Sequence, residues 1–304
     1  MTQEKNTLIL PDVLKNNLTL LYGDAGLKWL QDLPKFILHY ENKWKFKAGN
    51  CFSDAQFNVV LNAVKNNNTP VVFKCSVPNK EFITEANALK HYNGFGAAQL
   101  LESDIDSGAM LIEKINPGTI LGSVILIEDA TKKAVAVCKK LHKPIDTQSF
   151  PTLSDWFKGF DRLYKKFNNT SGPFSKSLVE KAKLISDELL QSQSSVVLLH
   201  GDLHYANLLL SDNGSYVAID PKGIMGELEF EIPLPRVTNP ISKKELLFRV
   251  DCYIELSGFD QKRIYRWLFC KAMLAAWWTV EDSGSVSDFT NRFLWVAEIM
   301  NDLV

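Results

Sequence analysis

The residues best suited to chemistry lie between positions 200 and 222. His200-Gly201-Asp202 is followed by Asn207 and then, beyond an Asn213-Gly214 pair, by Asp220. Asn-Gly flanked by alternating apolar residues predicts a β-hairpin with a two-residue turn, because a type I′ turn needs positive φ at both central positions. With that turn, Asn207 falls directly opposite Asp220. Opposed side chains in an antiparallel pair have Cβ atoms only ~4.5–5.5 Å apart. An amide oxygen and a carboxylate that close suit Mg²⁺, a hard cation that takes few protein oxygens and fills its shell with water and phosphate. Asp202 adds a carboxylate able to position, and deprotonate, a hydroxyl. The bland alternative is an ordinary hairpin in which Asp202 caps a turn and Asn207 satisfies backbone groups. The hairpin register and an upstream lysine, Lys74, weigh against it.

H-x-D-x-x-x-x-N with an Asp at the end of a hairpin is the catalytic-loop arrangement of kinases. Asp220 stands where D-F-G begins, but Pro221-Lys222-Gly223 follows and no A-P-E comes after it, so a phosphorylation-controlled activation segment is not expected. Three longer stretches go beyond the bare motif: HGDLHYANLLL; AIDPKG with an acidic stretch ending in Asn-Pro; and YIELSGFDQKRIYRWLFCKAMLAAWW. Together they closely resemble the aminoglycoside/hydroxyurea phosphotransferases typified by the streptomycin 6-kinases, and the resemblance covers most of the chain. It implies an α+β, bilobal protein-kinase-like fold with a small β-rich N-lobe and a larger, mainly helical C-lobe. The implied activity is ATP-dependent phosphorylation of a hydroxyl on a small molecule of the streptomycin type. ATP and Mg²⁺ are the implied cofactors, with GTP an open alternative to ATP.

Carried over position by position, the resemblance makes Lys74, in VVFKCSV, the nucleotide-phosphate lysine. An edge-strand lysine that blocks aggregation is the alternative. Glu85 is the expected partner of Lys74, since it lies beside the inward Phe82, Ala86 and Leu89 of the following helix; Glu81, in the first turn, complements the helix dipole. AMLIEKINPG resembles the family's hinge, with the backbone from Glu113 to Ile115 on the purine edge. AGNCFSDAQFN has one glycine where a protein-kinase phosphate loop has three, and amides near Ser53 and Asp54 are expected to approach phosphate. Lys222 is a candidate contact for the transferring phosphate or the acceptor. Glu227, Glu229, Glu281 and Asp282 are candidate carboxylates for a polycationic acceptor, the last two just after Trp277-Trp278. Solvated surface acids and core tryptophans are the bland reading of those positions. Glu231 stands where the resemblance leads to Asp, in a position to brace the catalytic loop.

These groups need elements to hold them. Residues 11–43 read as helical with a break or fresh start at Pro34. WKFKAGNCF, QFNVVLNAV, PVVFKCSV, AAQLLESD and AMLIEKI read as strands, and a helix runs from Pro78-Asn79 to about Tyr92. Beyond Pro117 helices are expected near 119–142, 152–167, 175–193, 242–257, 260–281 and 285–303, interrupted by the hairpin. The expected division is 1–116 as a nucleotide-binding lobe with leading helices and 117–304 as a helical lobe with the catalytic loop and acceptor site.

Composition excludes several classes. A chain of 304 residues with 46% hydrophobic and 23% charged residues can bury a large core and is not disordered. A formal net charge of -1 removes any overall electrostatic argument for nucleic acid or an anionic membrane. Five widely spaced cysteines without C-x-x-C read as reduced thiols, and with five histidines they form no zinc spacing. The sequence lacks a signal-peptide pattern and any run near the ~18 apolar residues of a membrane span, so a cytoplasmic protein is expected; a small-molecule acceptor as its partner is what the resemblance implies. Composition carries no signal of oligomeric state. Other readings are a kinase of another small alcohol or amino sugar, a protein kinase, or a catalytically silent nucleotide-binding interaction module. The last would be marked by loss of Lys74, Asp202, Asn207 or Asp220, and all four are present.

Overall fold

The computed structural model describes residues 8–123, 126–142, 150–232 and 242–304. The chain divides into two compact units, Met1–Asn116 and Pro117–Val304.

The first unit begins with helices α1 (Asp12–Tyr22) and α2 (Asp24–Trp44). The break lies at Gly23 rather than at Pro34, which sits inside α2. Gly23 has φ 56°, a conformation that lets the chain reverse while its N–H still satisfies the Thr19 carbonyl at 2.8 Å. Leu33, Ile37, Tyr40 and Trp44 of α2 are buried, whereas Leu27 is exposed. They pack with Phe46, Leu61 and Phe73 on a five-stranded sheet of order β1-β2-β3-β5-β4. Its strands are β1 (Phe46–Cys51), β2 (Val59–Lys65), β3 (Pro70–Cys75), β4 (Leu100–Asp104) and β5 (Ala109–Glu113). All neighbouring pairs are antiparallel. Between β3 and β4 runs α3 (Lys80–Tyr92), started by Asn79, whose side chain accepts the Phe82 N–H at 3.0 Å.

The second unit opens with β6 (Pro117–Ile120), a strand where the sequence reading starts a helix. It becomes a strand because it finds an edge to pair with. The helices are α4 (Ile127–Leu141), α5 (Leu153–Phe157), α6 (Gly159–Lys166), α7 (Lys176–Gln191), α8 (Lys243–Ser257), α9 (Gln261–Ser283) and α10 (Asp288–Asn301). The short strands are β7 (Val197–Leu199), β8 (Leu208–Ser211), β9 (Tyr216–Ala218) and β10 (Ile224–Gly226), arranged as sheets β6-β8-β9 and β10-β7. Among the described residues no helix is long and apolar enough to cross a membrane.

The β8-β9 hairpin corrects the expected register by one residue. Leu208 pairs with Ala218, Leu209 with Val217 and Leu210 with Tyr216. The turn takes three residues because only Gly214 has positive φ, 79°, and Asn213 spends its side-chain oxygen on the Ser215 N–H at 2.9 Å. This is the longer hairpin loop that ends in a left-handed glycine. A one-residue slip flips the faces of a strand, so Tyr216 and Ala218 are the buried residues of β9. Asn207 therefore meets Ile219, whose N–H it accepts at 3.0 Å, and Asp220 is not its cross-strand partner.

His200 locks this hairpin to the loop that precedes it. Its Nε2–H donates to the Ile219 carbonyl at 2.8 Å, and Nδ1 accepts the Asp202 N–H at 3.3 Å. The His200 carbonyl accepts the N–H groups of Lys222 at 2.7 Å and Gly223 at 3.2 Å. The ring is wholly buried and neutral, and burial pushes its pKa down to about 4, as it does for His142. The unfolded chain protonates these imidazoles below about pH 6.5, whereas the native state resists until about 4. Stability is therefore complete above pH 6.5 and falls as the pH drops toward 4, by on the order of 3 kcal/mol for His200 alone. Thermal melts across that window should show the loss, and imidazole NMR titration should show two rings that stay neutral at pH 5. Five imidazoles titrating near 6.5 would contradict it.

Candidate active site

In the first unit the candidate residues are centred on β3. Lys74 pairs with Val60 of β2 on one side and Met110 of β5 on the other, so it lies in the middle of the sheet and guards no edge. Helix periodicity puts Glu85 of α3 on the same face as Phe82, Ala86 and Leu89, all buried. Lys74 Nζ and Glu85 Oε1 are 2.6 Å apart, with only 4% and 7% of the two residues exposed. The structure thus brings together the pair that the sequence singles out. Glu81 stays exposed in the first turn of α3. Ser53 and Asp54 occupy an exposed turn after β1. At the end of β5, the Glu113 N–H donates to Gln99 O at 2.9 Å and its carboxylate accepts the Gln99 N–H at 3.1 Å, so that amide is committed. Ile115, buried just beyond the strand, gives its N–H to no acceptor among the described residues.

In the second unit the loop between β7 and β8 carries Asp202, whose side chain is 48% exposed. Asn207 ends a 3-10 turn, Tyr205–Asn207. Its Nδ2 donates to the Asp202 carbonyl at 3.0 Å, which leaves the amide oxygen as its available ligand atom. Asp220 follows β9 with φ 58°, a left-handed conformation that costs a non-glycine residue roughly 1–2 kcal/mol. An aspartate oxygen and an amide oxygen held this way are hard ligands of the kind Mg²⁺ takes, with phosphate and water filling the rest of its shell.

Glu231 supports the loop from below. It is fully buried, and both carboxylate oxygens accept the Gly201 N–H, at 3.2 and 3.0 Å. Burial raises its pKa, against the pull of the Lys271 charge and the Gly201 amide. The longer side chain therefore spans the distance where the sequence led to Asp. Tyr205, inside the loop, is tied to α4 by its hydroxyl 3.1 Å from Thr131 Oγ1 and covered by the Arg249 guanidinium of α8, 5.4 Å from the ring centroid. Sequence reasoning passed over Thr131 and Arg249. Both lie on helices remote in the chain, and no local spacing signals them.

The candidate acceptor contacts fare differently. Lys222 is exposed beside the loop, while Glu229 is half-buried, its pKa raised by burial. Glu281 is bound by Arg162 through two hydrogen bonds of 2.6 and 3.0 Å, and Asp282 is exposed near the same guanidinium. Glu227 lies in the core, contrary to its expected place among the acceptor-facing carboxylates. It accepts Arg263 Nε at 2.5 Å and Nη2 at 2.7 Å, together with the indole N–H of Trp267.

The chain is similar to known proteins in sequence and in fold. Among curated relatives, the streptomycin 6-kinase of Streptomyces glaucescens is 23% identical over 287 residues, covering 92% of this chain and 93% of that protein. The hydroxyurea phosphotransferase of Kitasatospora aureofaciens is 26% identical over 292 residues, covering 91% and 82%. Choline kinase LicA from Streptococcus pneumoniae superposes with a TM-score of 0.64 at 14% identity, covering 89% of this chain and 99% of that one. The macrolide 2'-phosphotransferase MphH from Brachybacterium faecium does so with a TM-score of 0.53 at 13% identity, covering 89% and 98%. These likenesses show the α+β kinase-like fold. Residues 43–283 match the family model of the aminoglycoside/hydroxyurea antibiotic resistance kinases, and the chain belongs to that family of small-molecule phosphotransferases.

Proposed function

We propose that the protein transfers the γ-phosphoryl group of ATP to a hydroxyl of an aminoglycoside of the streptomycin type. The observation that carries this reading is the bond from Asn207 Nδ2 to the Asp202 carbonyl, which fixes a prospective base and a prospective metal ligand in one short loop. The names of the curated relatives support the acceptor class.

Asp202 orients the acceptor hydroxyl and takes its proton as the new oxygen–phosphorus bond forms and the bond between the γ-phosphorus and the bridging oxygen breaks, releasing ADP. Asn207 and Asp220 hold Mg²⁺, which when bound neutralises charge on the phosphate oxygens. Lys74, oriented by Glu85, binds the nucleotide phosphates, and amides near Ser53 approach them. The backbone between Glu113 and Ile115 receives the purine edge, with the Ile115 N–H as donor. In this division of labour residues 1–116 bind nucleotide and residues 117–304 carry the catalytic loop and the acceptor contacts, Lys222 and Asp282 among them. Rate enhancement comes mainly from positioning and electrostatic stabilisation.

Steady-state assays with streptomycin, other amino sugars, hydroxyurea and a polypeptide acceptor test this reading. Asp202→Asn should lower kcat ~10²–10⁴-fold, the usual contribution of a positioned general base, with nucleotide affinity nearly unchanged. A folded variant that phosphorylates its acceptor at the wild-type rate would sink the assignment. Asn207→Ala and Asp220→Ala should each raise the Mg²⁺ concentration needed for half-maximal turnover; unaltered Mg²⁺ dependence in both would remove them as ligands.

Lys74→Ala should weaken nucleotide binding, measured by calorimetry, and Glu85→Gln should reproduce part of that loss. Normal nucleotide binding by both variants would dismiss the lysine clamp.

A further inference from the structure

A hydroxyl delivered to Asp202 must be held by groups next to the catalytic loop, and an aromatic side chain is among the neighbours of that loop. Gly201, the residue before Asp202, lies against an indole: a Cβ placed on it would be 2.9 Å from Cη2 of Trp156 and 3.2 Å from Cβ of Lys222. Trp156 is carried by α5, whose first turn is fixed by a capping box between Thr152 and Asp155. It meets Trp278 of α9 edge to face, with centroids 5.2 Å apart and planes at 86°. Both indoles are half-buried. Trp267 and Trp277, by contrast, are fully buried. The core thus takes Trp277 whole, whereas Trp156, which also meets the buried Phe230 with centroids 6.1 Å apart, and Trp278 keep part of their surface exposed.

An edge-to-face pair leaves the faces of the edge-presenting ring uncovered by its partner, and those faces carry the negative lobes of the ring quadrupole. A guanidinium or ammonium within ~6 Å of such a face is attracted to it. Charge in the neighbourhood is of both signs: Asp202 follows Gly201 directly and Asp282 lies one helical turn beyond Trp278 on α9, while Lys222 flanks Gly201 and Arg162 lies near Asp282.

We propose that Trp156 and Trp278 form a wall of the acceptor subsite and take a cationic group of the acceptor against an indole face, leaving the reacting hydroxyl for Asp202. The wall selects guanidinium- or ammonium-bearing acceptors over small neutral ones. This proposal rests on the reading of Asp202 as the acceptor-facing carboxylate. The two indoles act on binding and not on the proton, so their loss is felt in KM.

The test uses the full chain with Trp156→Leu and Trp278→Leu, and with Trp156→Phe and Trp278→Phe as variants that keep an aromatic face. Binding of streptomycin, which carries guanidinium groups, is measured by calorimetry without nucleotide; turnover is measured with streptomycin and with uncharged hydroxyurea. The Leu variants should lose roughly 3–30-fold in streptomycin affinity and KM, with kcat within about threefold, and the Phe variants should recover much of it. Hydroxyurea kinetics should not change. Leu variants that bind streptomycin like wild type, or that lose both acceptors equally, overturn the wall, as does a wild-type protein with no affinity for streptomycin. Wild-type binding that depends on the indoles without any phosphorylation supports the wall and overturns the proposed reaction instead. If a Leu variant fails to fold, the Phe variant decides: affinity unchanged from wild type at both positions sustains the aromatic surface, and a loss equal for charged and neutral ligands ends it.

Discussion

The backbone of Ile219 is held at both of its polar groups, its N–H by the Asn207 carbonyl and its own carbonyl by the buried Nε2–H of His200. Those two bonds join the end of β9 to both ends of the loop from His200 to Asn207. Asn207 closes the loop on itself through the Asp202 carbonyl, and the His200 carbonyl takes the amides of Lys222 and Gly223 on the far side of Asp220. Asp202, Asn207 and Asp220 therefore belong to one hydrogen-bonded block. A group that must meet a reacting atom to within a fraction of an ångström gains from being unable to move by itself. The cost is an imidazole that has to stay neutral in the core, and with it sensitivity to acid.

The buried charges separate into two kinds. Glu227 is saturated by donors of α9, two from Arg263 and one from Trp267, and ties the 3-10 turn Leu228–Glu231 to that helix. It is a strut between elements. Lys74 and Glu85 also link elements, β3 and α3, yet apolar residues of similar volume would fill the same space without the desolvation cost of two ions. Packing alone gives no reason for that pair. Its place in the middle of a sheet also removes the edge-protection explanation, which leaves the binding of an anion as the explanation we favour.

Much of this was legible in the chain. Strand and helix types followed from periodicity in the first unit, and the phase of α3 distinguished Glu85 from Glu81 because a helical stripe has only one inward side. The hairpin was legible in kind and not in register. Asn-Gly permits a two-residue turn, but Asn213 prefers to cap Ser215 with its side chain, and that local bond shifts every pairing by one. The same blindness to competing local bonds placed the helix break at Pro34, where a proline is tolerated within α2, and missed Gly23. The β6 strand was unreadable for a different reason: its four residues have no pattern of their own and are ordered by the edge of β8. Tertiary partners such as Thr131, Arg249 and Trp156 are invisible to any local rule.

Acceptor recognition shows why residue type alone misleads. A carboxylate near a rim attracts the nearest guanidinium of its own chain before any ligand arrives, as Arg162 does for Glu281 and Arg263 does for Glu227. An acid so paired offers a cationic acceptor only exchange of one partner for another. An indole face has no such competitor unless an arginine or lysine is stacked on it, and the cation–ring contacts among the described residues engage Trp44 and Trp277 rather than Trp156 or Trp278. Two tryptophans far apart in sequence, one of them packed on Gly201, are therefore the cation surface we propose in place of acids that are already paired. That surface is set by the packing of α5 against α9, so it belongs to the fold and not to any motif.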